Sequence, residues 1–283
     1  MSGTATTPIR DILVHLDATA PARARLDFAA ALAARHGARL TGLMVQEIAL
    51  PPIATPDSGG AALVPLLEAM RRDAAAEVAA LRPHFEAALQ RFHIAGAWHA
   101  PEGTAAEQVA HRGRQADLLV LGQDQPEGAT PTAAFVIESA LFGSGRPVLI
   151  VPHAGRFDPP SRHALIGWNG SREATRAVHD ALPLLAAIGR ATMLSVDDQA
   201  SASEAPDETI AAHLARHGIR TEADTAASGD VDAAALLLNR AAELSADLLV
   251  IGGYGHSRLR EWVLGGVTRS ILHEMTLPVL ISH

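Results

Sequence analysis

Ser245-Ala246-Asp247-Leu248-Leu249-Val250-Ile251-Gly252, near the C-terminus, repeats Gln115-Ala116-Asp117-Leu118-Leu119-Val120-Leu121-Gly122 from the middle of the chain. Each is a continuous apolar run closed by glycine, the pattern of a buried strand that delivers the backbone into a tight turn. The pairing extends outward. Pro147-Val148-Leu149-Ile150 recurs as Pro278-Val279-Leu280-Ile281, and Ile12-Leu13-Val14-His15-Leu16-Asp17 parallels Ala164-Leu165-Ile166-Gly167-Trp168-Asn169. Both members of this last pair lead into alanine-rich helical runs. Self-similarity at about half the chain length indicates duplicated domains, not a solenoid of short repeats.

Each half reads as strand, helix, strand, loop, helix, strand, helix, strand, helix, strand. In the second half the predicted strands are Ala164–Trp168, Ala191–Val196, Arg220–Ala226, Asp247–Gly252 and Val279–Ser282. The predicted helices between them are Arg172–Ile188, Glu208–His217, Val231–Leu244 and Val267–Glu274. Apolar, unalternating strands separated by helices imply parallel sheets buried on both faces. The expected fold is therefore α/β, two tandem doubly wound domains with a five-stranded parallel sheet in each. We place the domains at 8–153 and 162–283, joined near Pro152 to Arg162, where Pro159-Pro160 interrupts regular structure. The first half is longer, mainly between Ile48 and Met70. There Pro51-Pro52, Pro56, Gly59-Gly60 and Pro65 mark a loop before a long helix from about Leu66 to Phe92.

Composition narrows the function. Of 283 residues, 48% are hydrophobic but only 4% aromatic, so the cores are built from Ala, Leu, Val and Ile. A net charge of −8 with no basic stretch argues against nucleic-acid binding. The chain has no cysteine, which excludes disulfides, thiolate metal sites and cysteine nucleophiles. No signal pattern opens the sequence and no apolar run is long enough to span a bilayer, so the expectation is a soluble cytoplasmic protein without a membrane partner.

The apolar run ending at Gly252 continues into a loop with the spacing Gly252-x2-Gly255-x9-Gly265-Gly266, followed by Val267-Thr268. Two glycine turns, one at a strand end and one at a helix start, leave bare backbone N–H groups around an anion. No Gly-Lys-Ser/Thr follows, so this is not a P-loop, and the spacing is not that of the dinucleotide fingerprint. Ligands on such sheets bind beyond the carboxyl ends of the strands.

On this spacing and on the duplicated architecture, the sequence resembles the universal stress protein family in its tandem two-domain form, over nearly the whole chain. The resemblance implies an adenine-nucleotide alpha-hydrolase-like fold in each half, packed as an internal pseudo-dimer through the last strands, Val148–Val151 and Val279–Ser282. It also implies an ATP site in the second half, with Mg or Mn. ATP-binding members carry Gly-x2-Gly-x9-Gly-Ser/Thr; here Gly252, Gly255 and Gly265 match, and Gly266 replaces the hydroxyl residue. Val267 and Thr268 complete the phosphate side, with Arg258 or Arg260 as sources of charge. On the nucleoside side the family's aspartate is Asn169, preceded by Gly167 and Trp168, and Val196 falls where the second strand presents backbone to adenine.

The first half keeps Asp17 and Gly122 but has Gln125 where the second has Gly255, and Ala134 and Phe135 in place of Gly265 and Gly266. A phenylalanine there would fill the phosphate position, so the first site is expected to be degenerate. His213 and His217, at i,i+4, have a spacing that can place two imidazoles on one metal, but a polar helix end capped by Gly218 is the favoured account. No water-activating base with a phosphate-clamping lysine is evident, so at most weak ATP hydrolysis is expected. The expected function is a nucleotide-binding regulatory stress protein, with further homodimerisation open. The rivals are a nucleotide-free interaction or scaffold protein, a slow ATPase using the same site, and a flavin- or AMP-handling relative.

Overall fold

The computed structural model describes residues 8–48, 63–123, 132–197, 208–227, 232–253 and 266–283. The first half runs β1 (Asp11–Leu16), α1 (Ala22–His36), β2 (Arg39–Met44), α2 (Leu63–Phe92), β3 (Gly96–His99), α3 (Ala105–Gly113), β4 (Leu118–Gly122), α4 (Thr132–Ser144) and β5 (Val148–Val151). The second runs β6 (Ala164–Trp168), α5 (Arg172–Ile188), β7 (Arg190–Asp197), α6 (Glu208–Arg216), β8 (Arg220–Ala227), α7 (Ala233–Glu243), β9 (Leu248–Gly252), α8 (Gly266–Glu274) and β10 (Val279–Ser282). Expected and observed elements agree to within a few residues at their ends.

The strands form one sheet in the order β3-β2-β1-β4-β5-β10-β9-β6-β7-β8. Every pairing within a half is parallel. The join is antiparallel, with Leu149 of β5 opposite Leu280 of β10. Both strands are wholly buried, which explains why the Pro-Val-Leu-Ile sequence recurs without a polar alternate. Alternate strand residues feed two cores. Ile12, Ile166 and Leu280 face α1, α2, α5 and α6, whereas Leu13, Leu165 and Ile281 face α3, α4, α7 and α8. The outer strand β8 departs from the apolar expectation: it alternates and carries Arg220, Glu222 and Asp224, the charge an unpaired edge requires.

The repeated Ala-Asp-Leu-Leu has a structural task. Asp247 accepts the backbone N–H of Ser161, Arg162 and His163 at 2.8, 2.9 and 3.1 Å, fixing the start of β6. Asp117 likewise accepts Arg10 and Asp11 N–H at 2.8 and 3.0 Å, fixing β1. Gly37 and Gly189 end α1 and α5 at φ 63° and 75°, a left-handed turn that glycine adopts without penalty. The linker is pinned to the first half by Arg35, which donates to the carbonyls of Pro159 and Pro160 at 2.9 and 2.5 Å. Among the described residues, no helix is long and apolar enough to cross a membrane.

Candidate functional site

The carboxyl ends of β6, β7 and β9 lie at one edge of the second half. The β6–β7 ladder ends at Trp168 opposite Ser195, so Val196 extends one residue past β6, still paired with Ala226 of β8. Beyond β6 the chain turns through Asn169, Gly170 and Ser171. Asn169 Oδ1 accepts the Ser171 N–H at 3.1 Å, Gly170 takes φ 69°, and Ser171 Oγ caps α5 through the Ala174 N–H at 3.1 Å. The first half makes the same turn with Asp17, whose Oδ1 accepts the Thr19 N–H at 3.0 Å.

Gly252 ends β9 against the first turn of α5. A Cβ there would lie 2.4 Å from the Ala174 backbone nitrogen, so glycine is demanded by strand–helix packing alone. Gly167 is similarly close, with a Cβ position 3.1 Å from Ile251 and 3.3 Å from Leu237. Gly266, the first residue of α8, has none of the described residues within 4 Å of its Cβ position. Gly266 and Val267 are exposed, and the first N–H groups of a helix have no intrahelical partner. This open, donor-rich helix start fits an anionic oxygen shell. Gly255 and Gly265, with Arg258 and Arg260, lie outside the described residues.

Two expected contributors stand elsewhere. Trp168 is 9% exposed and belongs to the core beneath α5, so its ring packs the fold. Thr268 is 5% exposed, its side chain on the packed side of α8, so the hydroxyl intended to replace the one lost at Gly266 is buried. Val196 is half-buried against the opposite core, as a strand-end residue offering backbone would be.

The first half differs most. Arg25 is 4% exposed and lies across the equivalent edge. Its Nη2 pairs with Asp17 Oδ2 at 2.7 Å, and its Nε donates to the His15 carbonyl at 2.8 Å. A Cβ on Gly122 would sit 2.0 Å from Arg25 Nη1. The space lined by His15, Asp17, Arg25 and Gly122 is about 60 Å³, far below that of a nucleotide pocket. Phe135, expected to fill this site, is instead 46% exposed on α4, and the group between Asp17 and Gly122 is a guanidinium. In the second half, where α5 follows β6 as α1 follows β1, Ala177 takes the place of Arg25 and Gly167 that of His15.

The charges follow. Burial, and after it the Arg25 guanidinium, pull the His15 imidazole down to about 4, against Asp17. Burial raises the Asp17 carboxyl, but Arg25, Thr19 and His15 together hold it below the usual range. Sequence reasoning missed Glu173, whose side chain is 8% exposed in the first turn of α5. The Arg172 hydrogen bond at 2.5 Å outweighs burial and keeps its carboxyl low. The readable signal was an acid just after an N-cap serine, where the helix dipole favours it.

No metal centre accompanies the histidines. The rings of His179, His213 and His217 pack at 4.9 and 4.8 Å, yet among the described residues no group of three or more His, Asp or Glu could hold a metal ion.

Residues 160–283 match the model of the universal stress protein family. None of the curated proteins matches the sequence. Among solved structures, a universal stress protein from Archaeoglobus fulgidus DSM 4304 is similar over 96% of this chain and 95% of its own, at 16% identity and a TM-score of 0.70. A functionally unknown protein from Pseudomonas aeruginosa PAO1 is similar over 97% and 92%, at 16% identity and a TM-score of 0.55. At these identities the likeness is one of fold, and it spans both halves.

Proposed function

We infer, for a chain whose residues 160–283 belong to the universal stress protein family and whose two halves carry its fold, that the second half binds one adenine nucleotide. The ligand is ATP. Val196 offers backbone to the base, Asn169 meets the nucleoside, and the glycine loop with the α8 N-terminus takes the phosphates. Mg or Mn, where present, rides on the phosphates, because Asn169 has replaced the carboxylate that could have held it. Residues 8–153 and 162–283 act as the two units of an internal pseudo-dimer in which nucleotide is a regulatory ligand in stress adaptation.

The observation that carries this reading is the contrast between Arg25 and Ala177. The first half fills its strand-end site with an internal cation, whereas the second has the methyl group of Ala177 at the matching position. Efficient phosphoryl transfer is not part of the proposal, since the chain contains no lysine to clamp a transferring phosphate.

Calorimetric titration of the purified protein with ATP and magnesium tests it. The expected result is saturable binding at one nucleotide per chain, lost by about tenfold or more in Gly266→Asp. That variant places a like charge at the phosphate position while still suiting a helix N-terminus. No saturable binding, together with no nucleotide released on denaturation and identified by mass, would sink the reading.

A further inference from the structure

The first half of the chain contacts the second at the far end of α8, and we propose that Gln123 is a positioning residue for α8, the helix whose N-terminus takes phosphate. The inference rests on the nucleotide reading above. Gln123 follows β4 and is 5% exposed. Its Nε2 crosses to the other half and donates to the carbonyls of Leu272 and His273, at 2.9 and 3.0 Å. These are last-turn carbonyls of α8, which have no partner within the helix. The amide orientation is fixed from behind, because Oε1 accepts the His153 N–H at 3.1 Å and lies 2.8 Å from His153 Nδ1. A donor pair at a helix C-terminus also complements its dipole.

A second contact between the halves lies beside the end of β9. Gly253 is the last described residue before the loop, and its carbonyl lies 3.1 Å from His283 Nδ1. The His283 ring meets the edge of Phe142, on α4 of the first half, at 4.6 Å between centroids. The Gln123 bridge is not mirrored, because the residue that follows β9 as Gln123 follows β4 is Gly253. A nine-residue helix spans about 13 Å and moves as a rigid rod, so a shift at its C-terminus is passed to Gly266. Phosphate recognition by backbone N–H groups tolerates only about 0.5 Å of misplacement. The half that lost its own ligand site has become the buttress of the other.

The test compares the full chain with Gln123→Leu, Gln123→Glu and Phe142→Leu. Gln123→Glu keeps the acceptor for His153 but loses both donations to α8. Hydrogen exchange of the free protein reads α8 directly. Both Gln123 variants should exchange about tenfold faster across residues 266–274 while β6 stays protected. ATP affinity should fall at least about fivefold in both, and to a smaller degree in Phe142→Leu, whose exposed side chain can be shortened without risk to folding. Unchanged α8 exchange, wild-type exchange in Gln123→Glu alone, or faster exchange with unaltered ATP affinity would each overturn the proposal. A wild-type chain that binds no ATP, with α8 still loosened in the variants, would sink the nucleotide reading and leave the buttress standing.

Discussion

Gly122 and Arg25 are so close that a methyl group on the glycine would stand 2.0 Å from the guanidinium, while the equivalent methyl on Gly252 would strike the Ala174 backbone nitrogen at 2.4 Å. The same glycine in the repeat thus serves two kinds of contact. A guanidinium is the end of a flexible side chain and can withdraw; a helix backbone cannot. Gly252→Ala should therefore cost about 3 kcal/mol and Gly122→Ala about 1 kcal/mol, by urea denaturation. Equal costs would mean that Arg25 is as immovable as the helix. Loss of nucleotide binding in a Gly252 variant would, for the same reason, report on folding as much as on phosphate.

The two strand-start aspartates differ in how much backbone they satisfy. Asp247 takes three N–H groups and Asp117 two. Replacing a carboxylate that accepts backbone N–H groups strands those donors, at roughly 1 kcal/mol each or somewhat more for a charged acceptor. Asp247→Ala should be the more destabilising, by about 3 kcal/mol against about 2 for Asp117→Ala. Denaturant midpoints at unchanged slope provide the measurement, and the reverse order would remove this account of the repeated motif.

His15 predicts a pH dependence. Its folded pKa, about 4, lies below the ordinary imidazole value of 6.5, so the folded state binds fewer protons between those limits. Stability therefore falls as pH drops from about 6.5 towards about 4, by up to roughly 3 kcal/mol from this group. Asp17, whose low pKa stabilises the folded state above its unfolded value, loses its contribution only at lower pH. His36, His99, His163 and His213 are also lowered and act in the same direction, so the slope must be compared with that of His15→Asn. Urea unfolding at pH 7 and pH 5 should show a smaller loss in the variant. An identical loss would place the imidazole in water.

Thr268 and Gly266 separate the two ways in which α8 could meet phosphate. With Thr268 buried, the proposed site leaves phosphate recognition to the backbone N–H groups of Gly266 and Val267. Thr268→Val should leave ATP affinity within about twofold, because no side-chain hydrogen bond to the ligand is removed. A tenfold loss by calorimetry would put the hydroxyl on the phosphates.

Much of this was legible in the sequence because it was written twice. The duplicated Ala-Asp-Leu-Leu-Val runs gave β4 and β9, and the Pro-Val-Leu-Ile runs gave β5 and β10, since buried parallel strands leave apolar runs that no surface element produces. The site was only partly legible. The glycine spacing and Asn169 could be read locally, whereas nothing in the local sequence sets Arg25 apart from other charged residues on an alanine-rich helix. Its burial depends on His15 and Asp17 at the end of β1 and Gly122 at the end of β4 meeting around it.

By itself the sequence determined the two βα units, their parallel strands and the strand-end turns. These follow from hydrophobic period, glycine and capping residues within a few positions of one another. The resemblance already implied that the last strands meet, and tertiary structure decided that β5 and β10 join antiparallel into one sheet. It also decided that Arg25 closes the first site, and that Gln123 reaches across to cap α8. Each of those rests on hydrogen-bonding groups brought together from separate elements, and the two that cross the halves join residues more than a hundred positions apart, a pairing no local pattern records.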